Sequence, residues 1–323
     1  IDLPTFPLFA LFAPALGMTS VVPEMDFTRP AAVDPAKIIA AIETFRVTTM
    51  FGSPALINRV GRYGAAKDIR LPSLKRAISA GAPVPASVLE RFAGMLQGEA
   101  QVFTPYGATE ALPVCSIGSD EILAETRYAT DRGCGVCVGK PVPGIELDII
   151  KITDEPIEQW AEALKIADGE IGEIVVKGAQ VTASYFNRAD SNALSKIADP
   201  QKDGFYHRMG DLGYRDEQGR VWFCGRKAHR VVTAAETLFT IPCEAVFNTH
   251  PEVFRTALVG VGAPGRQRAV LCVELEKGVD TAAVQRIYSE LLAIGAECEL
   301  TRNIKRVLFH PEFPVDIRHN AKI

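Results

Sequence analysis

Apolar residues fall at helical spacing over residues 36–45, and the short, β-prone run at 47–51 follows, so a helix feeding a buried strand is predicted. Ser53-Pro54 sets a capping hydroxyl and a first-turn proline ahead of a second helix over 55–63. A strand over 74–79, an amphipathic helix over 85–96 and a strand over 100–104 continue the alternation. Strands and helices in turn, joined by short loops, predict α/β layering on a largely parallel sheet.

Past Gly139-Lys-Pro141 the pattern changes. Residues 146–152, 172–177 and 219–224 read as strands of a β-rich subdomain, and the polar stretch 154–164 as a short surface helix. From Gly225 onward a smaller α+β unit is expected, with strands near 230–232, 256–261 and 269–275 and helices near 243–248 and 281–292. The predicted division is a large domain at 1–225 (layered α/β with its β-rich subdomain) and a small α+β domain at 226–323. The apolar run 6–22 is interrupted by Pro7, Pro14 and Gly17 and is too short for a membrane span. It is expected to form a buried strand, a turn and a core helix; the second reading is an acyl-pocket wall or a shallow membrane contact.

The 323 residues are 47% hydrophobic and 23% charged, enough for a sizeable core in an ordinary soluble protein. A net charge of -4 gives no electrostatic case for nucleic acid or an anionic membrane. The seven cysteines are odd in number and scattered, which predicts reduced thiols in a cytoplasmic protein and no disulfides. Cys134-Gly-Val-Cys137 has no second pair at ligand spacing and reads as part of a Gly-rich approach to a strand, not as a zinc or redox pair.

Chemistry concentrates in a few segments. Tyr106-Gly107-Ala-Thr109-Glu110 sets a ring, a hydroxyl and a carboxylate in one short stretch, which taken alone reads equally well as a capped strand-to-loop turn. Ser79-Ala-Gly81-Ala82-Pro83 is a turn in which glycine permits close backbone approach and proline stiffens the loop. Downstream lie His207-Arg-Met-Gly-Asp211, then Gly225-Arg226, and at the end Phe313-Pro-Val-Asp-Ile-Arg-His-Asn-Ala-Lys322. His207 reads as a surface or supporting residue, and Asp316 and His319 as loop formers.

In this order the segments resemble the adenylate-forming superfamily of acyl-CoA synthetases, luciferases and adenylation domains. The resemblance implies ATP and magnesium as cofactors. It places Tyr106 against the adenine with Gly81, Ala82, Pro83 and Gly107 around it, Thr109 on the α-phosphate and Glu110 on the metal. Asp211 takes the ribose hydroxyls, Arg226 reaches the same ribose, and Lys322 bridges the carboxylate substrate and the α-phosphate.

The pattern is incomplete. The family's phosphate loop with its own lysine is absent, and Pro7-Leu-Phe-Ala10 resembles a stretch that follows that loop, so the chain is expected to be the later part of a longer enzyme. Alanine stands at Ala321 where glycine is usual and at Ala228 where the hinge usually has Asp or Lys, while Glu236 adds bulk and charge where a pantetheine arm would pass. These positions weaken the expectation of a CoA thioester. The runs 225–231, 241–251 and 313–322 resemble the β-lactone synthetases of bacterial long-chain olefin biosynthesis. That resemblance implies adenylation of a 2-alkyl-3-hydroxy fatty acid and intramolecular closure to a β-lactone. A fatty-acyl-CoA ligase and a degenerate nucleotide-binding scaffold are the alternatives. The fatty-acid-derived substrate leaves room for peripheral membrane or pathway-enzyme association.

Overall fold

Four parallel strands, β1 (Asp2–Pro4), β2 (Thr49–Phe51), β3 (Arg76–Ile78) and β4 (Gln101–Ala108), lie side by side in chain order, with Met50 in register with Leu3 and Ala77, and Ala77 with Val102. The computed structural model describes residues 1–202 and 204–315. Helices α1 (Phe9–Ala15), α2 (Pro35–Phe45), α3 (Pro54–Ala66) and α4 (Ala86–Ala93) fall between these strands. The local chemistry fits each end. Asp34 accepts from the Ala36 N–H ahead of Pro35, Arg46 closes α2 in the left-handed region at φ 50°, and Ser53 Oγ accepts from Leu56 N. The apolar stripes bury Ile38, Ile42, Leu56, Ile57, Val60, Leu89 and Phe92 with Leu3, Met50 and Val102 in one core. A short α5 (Ser119–Glu121) begins where Ser119 Oγ accepts from Val102 N. This compact unit comprises Ile1–Tyr106 and Ser116–Glu125.

Helix α1 corrects one expectation. A helix forms, but Leu11 and Leu16 are about 70% exposed and Phe12 is half exposed, so it is not a core helix. Ala13 is buried, and Phe9 turns inward edge-on to Phe51 with centroids 4.5 Å apart. Among the described residues no helix is long and apolar enough to cross a membrane.

The second compact unit holds Gly107–Cys115 and Thr126–Phe313. Strand β5 (Ala111–Gly118) and the short α6 (Arg127–Asp131) precede β6 (Val136–Pro141), β7 (Ile145–Ile150) and β8 (Gly172–Gly178). Then come α7 (Ala189–Ser195), β9 (Lys196–Ala198), β10 (Phe205–Arg215) and β11 (Val221–Arg226). Strands β6, β11, β10, β8 and β7 pair antiparallel in that order, and β9 pairs with β10. The stretch 154–164 is not the expected surface helix. It is a loop ending in a 3-10 turn at Glu162–Leu164, anchored by Trp160, which is buried and stacked on Tyr206 at 4.0 Å.

A buried knot of charge ties this loop to the sheet. Arg208 on β10 grips Glu173 on β8 in a two-point pair, Nη2 to Oε2 at 2.7 Å and Nε to Oε1 at 3.2 Å. Lys227 Nζ approaches the same carboxylate at 3.0 Å, and both cations donate to the Thr153 carbonyl. Arg208 also donates to the carbonyls of Glu155 and Leu194.

Residues 231–313 close around a core of their own, including Val231, Phe247, Leu258, Leu271, Ile287 and Leu291. It is built from the hairpin β12 (Val231–Val232) and β13 (Thr237–Leu238), then α8 (Thr240–Phe247), β14 (Val253–Val261), β15 (Arg268–Leu275), α9 (Val284–Glu297) and β16 (Val307–Phe309). Glu244 on α8 is half-buried, and its carboxylate accepts from Leu258 N on β14 at 2.8 Å. Burial pushes its carboxyl up to about 7, against the smaller opposing pull of that N–H. The folded chain therefore holds this proton more tightly than the unfolded chain. The resulting stability is fully present below the ordinary carboxyl pKa and is lost as pH rises through about 7. The gap corresponds to about 3 kcal/mol. Glu244→Gln is expected to flatten the fall in stability between pH 5 and pH 8, measured by urea denaturation at both pH values; an unchanged slope would refute this.

Candidate active site

Ligands of open parallel sheets bind beyond the carboxyl ends of the strands. Two predicted segments lie there, residues 79–83 after β3 and Tyr106 near the end of β4, and the strands are neighbours, with Ile78 in register with Phe103. Ser79 donates its N–H to the Phe103 carbonyl, and its hydroxyl is buried without a hydrogen-bond partner among the described residues. Gly81 turns at φ 103°, in the region open to glycine, and leaves Ala82 half-buried and Pro83 exposed. The loop thus presents bare backbone beside an unsatisfied hydroxyl, which suits the flat polar edge of a base.

Thr109 and Glu110 are the two residues that turn β4 into β5. A Cβ at Gly107 would lie 2.5 Å from the Ala111 carbonyl oxygen, so the tight hairpin demands glycine there. Thr109 is exposed and Glu110 half-buried. The Glu110 backbone carbonyl accepts from Thr182 N at 2.8 Å, and its side-chain Oε1 accepts from the Tyr185 hydroxyl at 2.8 Å. Burial raises the Glu110 carboxyl, but the Tyr185 hydroxyl, its own backbone N–H and the Arg226 charge bring it below its ordinary value. It is an anion at neutral pH.

On β10 and β11, Asp211 and Arg226 are register partners, and Arg226 Nη1 stands 2.9 Å from Asp211 Oδ1 while donating to the Met209 carbonyl. Asp211 is buried and Arg226 half-exposed, so a preset carboxylate faces a guanidinium that solvent reaches. His207 is not at the surface. It is 2% exposed, its Nδ1 sits 3.2 Å from the Ser195 carbonyl, and burial followed by the Lys196 charge pulls its pKa down to about 4. A neutral, enclosed imidazole supports the strand. Lys322 lies outside the described residues.

Sequence reasoning missed two residues. Tyr185 holds Glu110, and Lys196 reaches the same place, its ammonium 4.8 Å from the Phe205 ring centre and 6.0 Å from that of Tyr185. Neither stands in a charged or Gly-rich motif, so no local signal marks them. Glu236, flagged for its bulk, accepts from Asn303 Nδ2 at 2.8 Å.

A hard cation held through one carboxylate, with phosphate oxygens and water completing its shell, fits this donor set. Oε1 of Glu110 serves Tyr185, and a carboxylate retains further lone pairs for a metal. Among the described residues the one group of three His, Cys or carboxylate side chains within ion-sharing distance is His250, Glu252 and Glu290, where Arg286 already bridges both carboxylates.

The sequence model of AMP-binding enzymes matches residues 5–186, more than half of the chain. The chain belongs to this family. It is 52% identical over 326 aligned residues to the olefin beta-lactone synthetase of Xanthomonas campestris pv. campestris, an alignment that takes in all of this chain and 58% of that protein. The chain thus spans a little over half the length of that curated relative. Among solved structures, the amide bond synthetase McbA from Marinactinospora thermotolerans superposes with a TM-score of 0.77 at 23% identity, over 98% of this chain and 58% of that one. The O-succinylbenzoate coenzyme A synthetase MenE from Bacillus subtilis, in complex with ATP and magnesium ion, superposes at 0.71 and 20% identity, over 98% and 59%. These superpositions confirm the mixed α/β fold of adenylate-forming enzymes.

Proposed function

We propose that this chain serves an olefin β-lactone synthetase, which adenylates a long-chain 2-alkyl-3-hydroxy fatty acid with ATP and closes the acyl-adenylate to a β-lactone. The 52% identity across the whole chain to an enzyme of that name carries the reading. In the first step a carboxylate oxygen bonds to the α-phosphorus and pyrophosphate leaves. In the second, the 3-hydroxyl oxygen bonds to the acyl carbon, the bond to AMP breaks, and the hydroxyl proton passes to solvent. Tethering supplies proximity, and no second substrate need enter.

Residues Gly81, Ala82, Pro83, Tyr106 and Gly107 are assigned to the adenine, Thr109 to the α-phosphate, and Asp211 with Arg226 to the ribose. Glu110 would hold magnesium, which when bound draws charge from the phosphates. The small domain from 226 is assigned the delivery of Lys322 to the reacting carboxylate. Seven free thiols, four of them buried, suit the reducing cytoplasm.

The intact gene product is expected to convert ATP and a 2-alkyl-3-hydroxy fatty acid into AMP and a product lighter by one water, without CoA, read by mass spectrometry. An acyl-CoA formed only when CoA is added would make it a conventional ligase. No AMP under either condition would leave a nucleotide-binding scaffold.

A further inference from the structure

We propose that Tyr185 is the positioning residue of the Glu110 carboxylate, holding it for a divalent cation against two neighbouring cationic side chains. The inference rests on the reading of Glu110 as the magnesium ligand.

The geometry is built around this contact. The Tyr185 hydroxyl donates to Glu110 Oε1 at 2.8 Å across 75 residues of sequence. Its backbone is clamped from both sides by one side chain on α7: Tyr185 N donates to Asn192 Oδ1 at 2.7 Å, and Asn192 Nδ2 donates to the Tyr185 carbonyl at 3.0 Å. The same segment secures the Glu110 backbone, since Thr182 N donates to the Glu110 carbonyl and Val181 bridges to Ala111. Main chain and side chain of the turn residue are therefore fixed by one short stretch, 181–185, itself pinned by α7.

A hydroxyl is the right donor here. Lys196 and Arg226 both act on the Glu110 carboxylate through space, and Lys196 donates to the Thr182 carbonyl within the same segment. A carboxylate turned onto either cation would have its lone pairs and its charge engaged and be a poorer ligand for a metal. A phenol is uncharged at neutral pH, so Tyr185 orients the carboxylate through its hydroxyl without neutralising it. Phenylalanine in its place would keep the ring and release the carboxylate to the lysine.

Partners that orient metal ligands typically account for about 10–100-fold in metal affinity. Manganese binding to the ATP complex of the intact gene product, titrated by electron paramagnetic resonance, reads that affinity without turnover. Tyr185→Phe is expected to weaken manganese binding about 10–100-fold, with the melting temperature and metal-free AMP affinity unchanged. Asn192→Ala, which loosens only the clamp, is expected to weaken it less. Adding Lys196→Met to Tyr185→Phe is expected to recover part of the loss, and adding Tyr185→Phe to Glu110→Gln to cost nothing further. If Glu110→Gln weakens manganese and Tyr185→Phe does not, the inference is wrong while the metal assignment survives. If Glu110→Gln itself binds manganese as tightly as wild type, the assignment of the metal to Glu110 falls, and the inference with it. Equal losses of manganese and AMP affinity in Tyr185→Phe would reduce the tyrosine to a structural part.

Discussion

Glu173→Ala is expected to lower the stability of the fold by about 3–5 kcal/mol, the usual cost of removing one partner from a buried ion pair. The carboxylate is 1% exposed and the Arg208 guanidinium 2%, so the stranded cation has no route to water. Lys227, 17% exposed, would lose the same partner. The carbonyls of Thr153, Glu155 and Leu194 would remain to Arg208 as dipoles, which cannot replace a full charge at that depth. Urea denaturation measures the loss. A deficit under 1 kcal/mol would show that water reaches the site. The double variant Glu173→Met with Arg208→Met discriminates further, because removing both charges is expected to cost less than removing one. The knot also joins elements distant in sequence: Lys227 follows β11, and Thr153 opens the loop that Trp160 anchors. Limited proteolysis of Glu173→Ala is accordingly expected to cut first within 153–164.

Much of this architecture is legible in the sequence because period and punctuation are local properties. The helix expected over 36–45 forms as Pro35–Phe45 and the one over 55–63 as Pro54–Ala66, each begun by the cap that Asp34 or Ser53 provides. Burial is not local. Helix α1 has an apolar run that its neighbours only partly cover, and composition alone cannot distinguish Phe9, packed on Phe51, from Leu11, in solvent. The 154–164 stretch looks helical by polarity, yet Trp160 commits it to a stack on Tyr206 that depends on a strand 46 residues later. Strand β10 is hidden for the opposite reason. His207, Arg208 and Asp211 break every hydrophobic pattern, and the strand is tolerated inside because Glu173 and Arg226 pair with two of them. Glu110, Asp211 and Arg226 stand in motifs and are readable as candidates. Tyr185 is not, since its meaning comes only from the fold that carries it to Glu110.

Lys322→Ala is expected to slow adenylation by about 10²–10³-fold, the magnitude associated with losing one group aimed at charge that develops in the transition state. The position rests on the resemblance of residues 313–322 to the family's terminal lysine loop, and the side chain lies outside the described residues. The chemistry favours a lysine. Carboxylate attack on the α-phosphorus brings two anions together, and a compact ammonium between them lowers that repulsion as the new bond forms. A contact made chiefly in the transition state should depress kcat and kcat/KM alike and leave the KM for ATP near wild type. Loss of ground-state binding would instead raise KM with kcat preserved. Pre-steady-state release of pyrophosphate from the intact gene product separates the two, because it reports the first chemical step before ring closure or product release. A Lys322→Ala protein that released pyrophosphate at the wild-type rate would remove the lysine from adenylation and leave ring closure as the step at which to look for its role.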